Sequence, residues 1–543
     1  MSAGRDAGID AGVGLRVDVA IVGCGPTGAA LANLLGARGV SVLVVDRADG
    51  ILQIPRAVHV DGETMRVFQA MGLAREMLRV LRPGGQMVWA DAQGETLLVR
   101  KGLVGLGPQG WHNDYYFHQP QLEDVLRAGL ARFPRVTVRE RCELRALAAD
   151  AEGVTLDLRD LAVGGGDGAA LRVRCDWLVG CDGARSRVRE AIGDAFEDLG
   201  EHQGWLVVDA VLDHPLDLPE HSVQHCDPAR PATSIYVHPL RRRWELMLMP
   251  GDDPEEIVRP EVVWRLLSRW VKPAQAVLER AATYTFHSLV ARRWQRGRVL
   301  IAGDAAHQTP PFLGQGLCAG IRDAANLAWK LAHAVRMTAA GDALVATYGP
   351  ERTPHAHAFV ALAVEVGRVI QVTDPAEAAL RDARLKAQGL QFAFPTPRLG
   401  PGAWIARGAM DEDASRDDIV GRIAIQPELP DGRWLDDAVG PRFAVLARSG
   451  LELPAATRDR FAALDVAIVD DPGPRATAWL AEHDAAAVVL RPDRYVFDAC
   501  PDGSALDASA EALARWLGAP PTDADRARAA TCSMTRSTEG VTR

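Results

Sequence analysis

The sequence predicts an α/β protein built on a Rossmann-like dinucleotide-binding unit, with an inserted antiparallel sheet and a small C-terminal α/β domain. Three observations carry this. Residues 17–47, VDVAIVGCGPTGAALANLLGARGVSVLVVDR, read as strand, glycine turn, helix and strand ending on an acid. Two further apolar strands, DWLVG and VLIAG, run into Asp182-Gly183 and Gly303-Asp304. The composition then shifts twice, to Trp-, His- and Pro-rich alternating strands over about 200–290 and to a new strand and helix alternation after about 420.

Each glycine of the first turn has a physical task. Gly23 permits the sharp strand exit, Gly25 lets backbone approach a pyrophosphate, and Gly28 lets the helix pack on the strands, while Pro26 and Thr27 start a helix aimed at negative charge. Asp46 sits where a carboxylate can accept from ribose hydroxyls, followed by Arg47. Next come PRAVH with Arg56, whose planar fork suits phosphate or ring oxygens, and an amphipathic helix in GETMRVFQAMGLAREML. The region 80–116 is irregular and leads to the aromatic cluster Trp111, Tyr115, Tyr116 and Phe117. FHQPQLEDVLRAGLAR then opens a helix at Gln119 and Pro120. A hairpin layer follows, with GGGDG at 164–168 read as its loop because no helix comes after it. The strands WLVVDAVL, SIYVHPL and RWELMLMPG form the inserted sheet, the natural place for a substrate pocket. After Gly303-Asp304, a Pro-Pro turn at 310–311 and Gly314-Gln315-Gly316 lead through Leu317 and Cys318 into a long helix with free N–H groups at its start.

The 543 residues suffice for two or three domains. A net charge of -10, with no basic run, argues against a nucleic-acid partner. The eight cysteines form no Cys-x-x-Cys pair and accompany no secretory signal, which predicts reduced thiols, no structural metal and a cytoplasmic protein. No run reaches the ~18 apolar residues of a membrane span. The last domain, with strands FAVLARSG, LDVAIVDD, AAAVVLRP and RYVFDAC, is ordered like a thioredoxin fold. Without Cys-x-x-Cys, it is expected to serve structure or oligomer contact.

GCGPTG with Asp46, CDGARSR near 182 and AGDAAHQTPPFLGQG near 304, in this order, resemble the single-component (class A) flavin-dependent aromatic hydroxylases, the family of p-hydroxybenzoate and phenol hydroxylases. The fuller wording, PRAVHVDGETMRVFQAMGL, GQGLCAGIRDAANLAWKL and AAAVVLRPDRYVF, is most similar to the 3-(3-hydroxyphenyl)propionate/3-hydroxycinnamate hydroxylases within it. The resemblance implies FAD on Gly23, Gly25, Pro26, Thr27 and Gly28, with Asp46 and Arg47 at the adenosine ribose and Arg56 and Gln119 on the flavin side. It also implies Asp182 and Gly183 near the pyrophosphate, Gly303 and Asp304 at the ribityl chain, and Pro311, Gly314, Gln315, Gly316, Leu317 and Cys318 around the isoalloxazine. Many relatives carry Asn where Cys318 stands, so only backbone contacts carry over there.

The implied chemistry is the cofactor's: NADH or NADPH reduces FAD, the reduced flavin captures O2 as a C4a-hydroperoxide, and its distal oxygen is transferred to a phenol ring ortho to the hydroxyl, the other leaving as water, in aromatic catabolism. The leading substrates are 3-(3-hydroxyphenyl)propanoate and 3-hydroxycinnamate. The alternatives are another phenol, of polyketide or nitrocatechol type, or a non-catalytic FAD/NAD-binding module. Partners are then the phenol and O2, with no nucleic acid or membrane, and a homodimer left open. The phenol-activating residue is not assigned; His225, His238 and Tyr116 are the candidates, with Tyr115 and His307 also in plausible regions. Arg241, Arg242 and Arg243 are read as a solvated strand end. The expected organisation is a flexible extension (1–15), a discontinuous FAD-binding domain (16–90, 117–200, 290–395), a substrate domain (91–116, 201–289), a thioredoxin-like domain (415–520) and a flexible tail (521–543).

Overall fold

The computed structural model describes residues 14–54, 56–100, 105–161, 168–200, 202–388, 396–405 and 415–519. The expected flexible ends, except residues 14 and 15, and most of the GGGDG loop lie outside these.

Strand Leu15–Val22 lies at the centre of the first sheet, parallel to Val42–Val45 on one side and to Ala169–Gly180 on the other. Val136–Arg139 and Val299–Ile301 extend it in parallel on either flank. Continuous apolar runs such as VAIV, VLVV and VLI suit these positions because helices cover both faces of a parallel sheet. The twelve-residue strand Ala169–Gly180 serves two neighbours, since its first half pairs antiparallel with Val154–Asp160, which in turn pairs with Cys142–Ala149. Val22, Val45, Gly180 and Ile301 therefore end at one carboxyl edge of the sheet. The glycine turn, Asp46, Asp182 and Asp304 all leave from that edge, where open α/β sheets bind ligands.

The second sheet has seven strands in the order Ala276–Thr285, Gly204–Leu212, Arg241–Met247, Ala232–His238, Ser222–His225, Met87–Ala90 and Thr96–Arg100. It is antiparallel except where Ser222–His225 meets Met87–Ala90. The sequence reading groups residues 87–90 with the cofactor part; in the structure they are sheet neighbours of 222–225. Strand Asp114–Phe117, whose first three residues are grouped there with the substrate part, pairs with His59–Asp61 and Leu81–Pro83. These pairings join residues 32 to 135 positions apart, which local patterning does not record. One face of the seven-stranded sheet buries Leu206, Val208, Trp244 and Leu246 under Val263 and Leu267 of helix Pro260–Leu267. Alternation sends Trp205, Asp209, Arg243, Glu245 and Met247 to the other face, towards the first sheet.

The C-terminal domain has a four-stranded sheet in the order Ala467–Val469, Ala444–Ala447, Ala487–Leu490 and Val496–Cys500, the first pair parallel and the others antiparallel. This is the thioredoxin-like arrangement. Buried charges dock it: Glu351 accepts from Lys330 at 2.7 Å and from Arg491 at 2.9 Å, and Arg66 grips Asp436 at 2.7 Å. Among the described residues no single helix is long and apolar enough to cross a membrane.

Candidate active site

The carboxyl edge of the first sheet begins at the glycine turn. A Cβ on Gly23, at φ 101, would lie 2.3 Å from the Cys181 carbonyl oxygen, and one on Gly28 would lie 2.0 Å from the Gly23 oxygen. Both glycines are demanded by the fold. A Cβ on Gly25 would meet nothing within 4 Å, so the space above this residue is open. Thr27 lies under Gly303 and Gly320, each of whose added Cβ would come within 2.6 Å of its hydroxyl. Helix Pro26–Gly36 has no side-chain cap at Gly25, and helix Gly316–Ala334 has none at Gln315. Uncapped first-turn N–H groups favour an anionic or polar ligand. Helix Arg187–Ile192 differs: Ser186 caps it, and Asp182 accepts from the Ser186 hydroxyl at 2.5 Å and the Arg187 N–H at 2.7 Å. Asp182 thus shapes its own turn. Beside it, Gly183, at φ 79, faces open space.

Asp46 accepts the Cys24 N–H at 2.7 Å and the Ala48 N–H at 2.8 Å, so it also holds the glycine turn, and Arg127 approaches it to 4.0 Å. Arg47 is exposed beside it. Gln119 accepts the Arg56 and Ala57 N–H groups at 2.8 and 2.7 Å and donates to Glu123 at 2.7 Å. The Arg56 side chain is left exposed in the cleft. Asp304 has no hydrogen-bond or ion-pair partner among the described residues. It is exposed to solvent, and the surrounding protein pushes its carboxyl up against the opposing pull of His307 and Arg56. An unpaired carboxylate in a cleft, two uncapped helix starts and the open space at Gly25 and Gly183 together fit an extended cofactor with ribose, pyrophosphate and ribityl groups.

The turn Pro311–Leu313 and Gly314 meet the second sheet, where Phe312 packs edge-on against Trp205 with centroids 5.5 Å apart. The Trp205 indole N–H is buried without a partner among the described residues. Glu245 is buried on the same face, its carboxyl pushed up by burial, with Arg243 3.9 Å away. Arg243 binds Asp209 through two hydrogen bonds, at 2.7 and 3.1 Å, and donates to the Arg56 carbonyl at 2.6 Å. The expectation of a solvated arginine cluster is therefore corrected: Arg242 and Arg243 are 7% and 1% exposed, and only Arg241 pairs at the surface, with Glu279. The alternating pattern of the strand turns Arg243 inward.

Of the three candidates for phenol activation, Tyr116 lies inside, packed on Ile235 and Val237, with its hydroxyl 2.7 Å from Ser222. His225 is on the helix-covered side against Trp270, bonded to Ser234 at 3.0 Å, where burial and Arg269 push it down to about 4. His238 is at the end of its strand beside Arg241. His307 bonds Asp323 at 2.8 Å and stacks on Trp294. Cys318 is buried in the first helical turn, its thiol directed at the His59 and Gly314 carbonyls.

The sequence reading missed His59. Its Nε2 bonds Asp114 at 2.7 Å and its Nδ1 bonds the Gly314 carbonyl at 3.2 Å. Burial alone would push its imidazolium down; the Asp114 bond and charge outweigh this and raise it to about 10. Arg100 also binds Asp114, at 2.6 Å. A positively charged cluster therefore lies under the turn at Gly314. No local signal joins His59 to Asp114, because the pairing of two short strands makes the contact.

The model of the FAD binding domain family matches residues 16–363, and that of the HcaD C-terminal domain matches 453–515. A probable NADH-specific resorcinol 4-hydroxylase of Rhodococcus jostii is 38% identical over 518 residues, covering 92% of this chain and 94% of that protein. A 3-(3-hydroxy-phenyl)propionate/3-hydroxycinnamic acid hydroxylase of Burkholderia cenocepacia is 38% identical over 521 residues, covering 89% and 93%. Among solved structures, the flavin-dependent monooxygenase PieE, in complex with FAD and substrate, shares the fold with a TM-score of 0.80 at 24% identity, covering 94% of this chain and all of that one.

Proposed function

The chain belongs to the FAD binding domain family and is a flavin-dependent aromatic-ring monooxygenase, and from that premise we propose that it hydroxylates a meta-substituted phenol ortho to the hydroxyl. The carrying observation is the junction of the Pro311–Gly314 turn with the inner face of the seven-stranded sheet. An apolar wall of Trp205, Met247 and Phe312 there includes only a few polar groups, among them the unpartnered Trp205 N–H and the buried Glu245 carboxyl.

In this reading the uncapped start of helix Pro26–Gly36, Gly25 and Gly183 hold the FAD pyrophosphate, with Asp46 and Arg47 at the adenosine ribose. Asp304 holds the ribityl chain, and Arg56, Gln119, Pro311 and residues 314–318 surround the flavin ring. When bound, FAD supplies electron transfer from the nicotinamide and activation of O2. The protein supplies orientation and dryness: Phe312 and Trp205 exclude water, the Trp205 N–H holds a substrate oxygen, and the charged His59 and free helix N–H groups favour negative charge at the turn. Tyr116, rather than His225 or His238, lies on the side where a phenol would be held.

The leading substrates are 3-(3-hydroxyphenyl)propanoate and 3-hydroxycinnamate, the compounds named for most of the similar hydroxylases. Resorcinol is the second reading. It is favoured because Arg241, Arg242 and Arg243 are all engaged by protein acceptors, which suits a neutral meta substituent better than a carboxylate. NADH as reductant and a cytoplasmic location complete the proposal, supported by the NADH-specific relative and by seven described cysteines that are all free. The test is NADH oxidation with these three phenols and mass analysis of the products. Turnover with none of them overturns the substrate class.

A further inference from the structure

We propose that Tyr495 of the thioredoxin-like domain is a positioning residue for the flavin site, its single hydroxyl anchoring a forked, buried hydrogen-bond relay that braces both the Gly303-Asp304 and the Gly314-Gln315 turns. This rests on the assignment of those two turns to the cofactor.

The first branch is short. Tyr495 donates to Glu63 Oε1 at 2.8 Å, Arg322 Nε donates to Glu63 Oε2 at 2.7 Å, and Arg322 Nη1 donates to the Gln315 amide oxygen at 3.1 Å. Gln315 immediately precedes the helix whose free N–H groups face the flavin position, and Arg322 is fixed further by Asp61. The second branch leaves the same hydroxyl towards His355 Nε2 at 3.3 Å. Arg352 Nη1 meets His355 Nδ1 at 2.8 Å, and Arg352 Nε donates to Asp323 at 2.9 Å. Asp323 in turn accepts the Gly303 N–H at 3.0 Å and binds His307 at 2.8 Å. Tyr495, His355, Arg352, Asp323, Arg322 and Gln315 are all buried.

The relay has one consistent direction. Arg352 can only donate, so His355 accepts at Nδ1 and carries its proton on Nε2. The Tyr495 oxygen accepts that N–H and passes its own proton towards Glu63, which is held on its far side by Arg322. Burial and the surrounding arginines keep His355 neutral, and burial keeps the Tyr495 phenol protonated, which is what this direction requires. The hydroxyl is therefore the one group that satisfies a donor from one branch and an acceptor from the other. Removing it leaves a buried N–H and a carboxylate oxygen short of partners. This gives the C-terminal domain a task that needs no redox cysteine: it closes the wall behind the flavin turns.

The experiment compares wild type with Tyr495→Phe, Glu63→Gln and a docking control, Asp437→Asn, which alters the exposed Gln69–Asp437 contact outside the relay. Amide hydrogen exchange is followed in the full chain as purified, and FAD release on dilution is followed by fluorescence. Tyr495→Phe is expected to speed exchange at both 303–306 and 314–318 and to weaken FAD retention about tenfold. Glu63→Gln should loosen only the second turn, and Asp437→Asn neither. Wild-type exchange at both turns in Tyr495→Phe overturns the proposal, as does equal loosening across all C-terminal strands. If Tyr495→Phe does not fold, Glu63→Gln decides alone: unchanged exchange at 314–318 overturns the relay. Faster exchange at both turns in a protein that never retains FAD would uphold the relay and sink the cofactor assignment instead.

Discussion

Replacing Gly25 with alanine separates a residue needed by the ligand from its neighbours needed by the fold. At Gly25 the backbone is at φ -71 and ψ -175, open to any residue, and the new methyl group meets nothing within 4 Å. The substitution should therefore cost the apoprotein at most ~1 kcal/mol, the usual cost of alanine at a helix N-cap. A pyrophosphate oxygen at hydrogen-bond distance from this backbone leaves no room for that methyl group. Overpacking of this kind costs ~1–3 kcal/mol, or about 5- to 150-fold in FAD affinity. Gly28→Ala has the opposite profile, because its methyl group would lie 2.0 Å from the Gly23 oxygen in the protein itself. Urea unfolding of the apoproteins and FAD titration by fluorescence quenching give the two numbers for each variant. Wild-type FAD affinity in Gly25→Ala, or a stability loss matching that of Gly28→Ala, would refute the placement of the cofactor.

Three further outcomes follow from charged groups. Asp304→Asn should retain FAD poorly, through loss of a charge-assisted bond worth ~1.5–3 kcal/mol, yet leave the apoprotein as stable or more so at pH 7. Because the folded carboxyl is raised, wild-type apoprotein loses stability as pH rises from the ordinary carboxylate range, and the variant should lack that loss in a urea series. Glu351→Gln strips the carboxylate from Lys330 and Arg491 and should cost ~3–5 kcal/mol by urea unfolding. Glu351's arginine and lysine partners overcome burial and hold its carboxyl well below 4.5. Its contribution is thus present above pH 4.5 and is lost as pH falls towards the folded value, so the acid decline should be shallower in the variant. His59→Gln should remove ~1–3 kcal/mol that is fully present below pH 6.5 and fades as pH rises through about 10. The wild-type and variant stability curves should therefore converge in that alkaline window, and parallel curves would remove the charged His59 from the account.

Much of the sheet's carboxyl edge was legible because it is local. Gly23, Gly28 and Asp182 serve the turns in which they stand, and Asp46 joins the turn that precedes its own strand, so strand, glycine and acid spacing reports them directly. The parallel sheet was equally legible from its continuous apolar runs. The polar interior was not. His59 meets Asp114 across a pairing of a three-residue and a four-residue strand, Arg243 turns inward on a strand that reads as a basic surface, and Tyr495 reaches Glu63 from 432 positions away. A lone histidine or tyrosine has no periodicity, so sequence cannot distinguish His225, on the helix-covered face, from Tyr116, on the inner one. Alternation gave two faces of the inserted sheet without saying which one meets the Pro311–Gly314 turn; the contact of Phe312 with Trp205 identifies it.

At the expense of reduced nicotinamide, the enzyme inserts one atom of O2 into a phenol ring. Turnover of 3-(3-hydroxyphenyl)propanoate with NADH under 18O2, read by mass spectrometry, tests it most directly. A dihydroxylated product carrying one heavy oxygen is expected, with NADH consumed in step. NADH oxidation that yields only peroxide with this substrate, 3-hydroxycinnamate and resorcinol alike, or oxygen drawn from water, would contradict it.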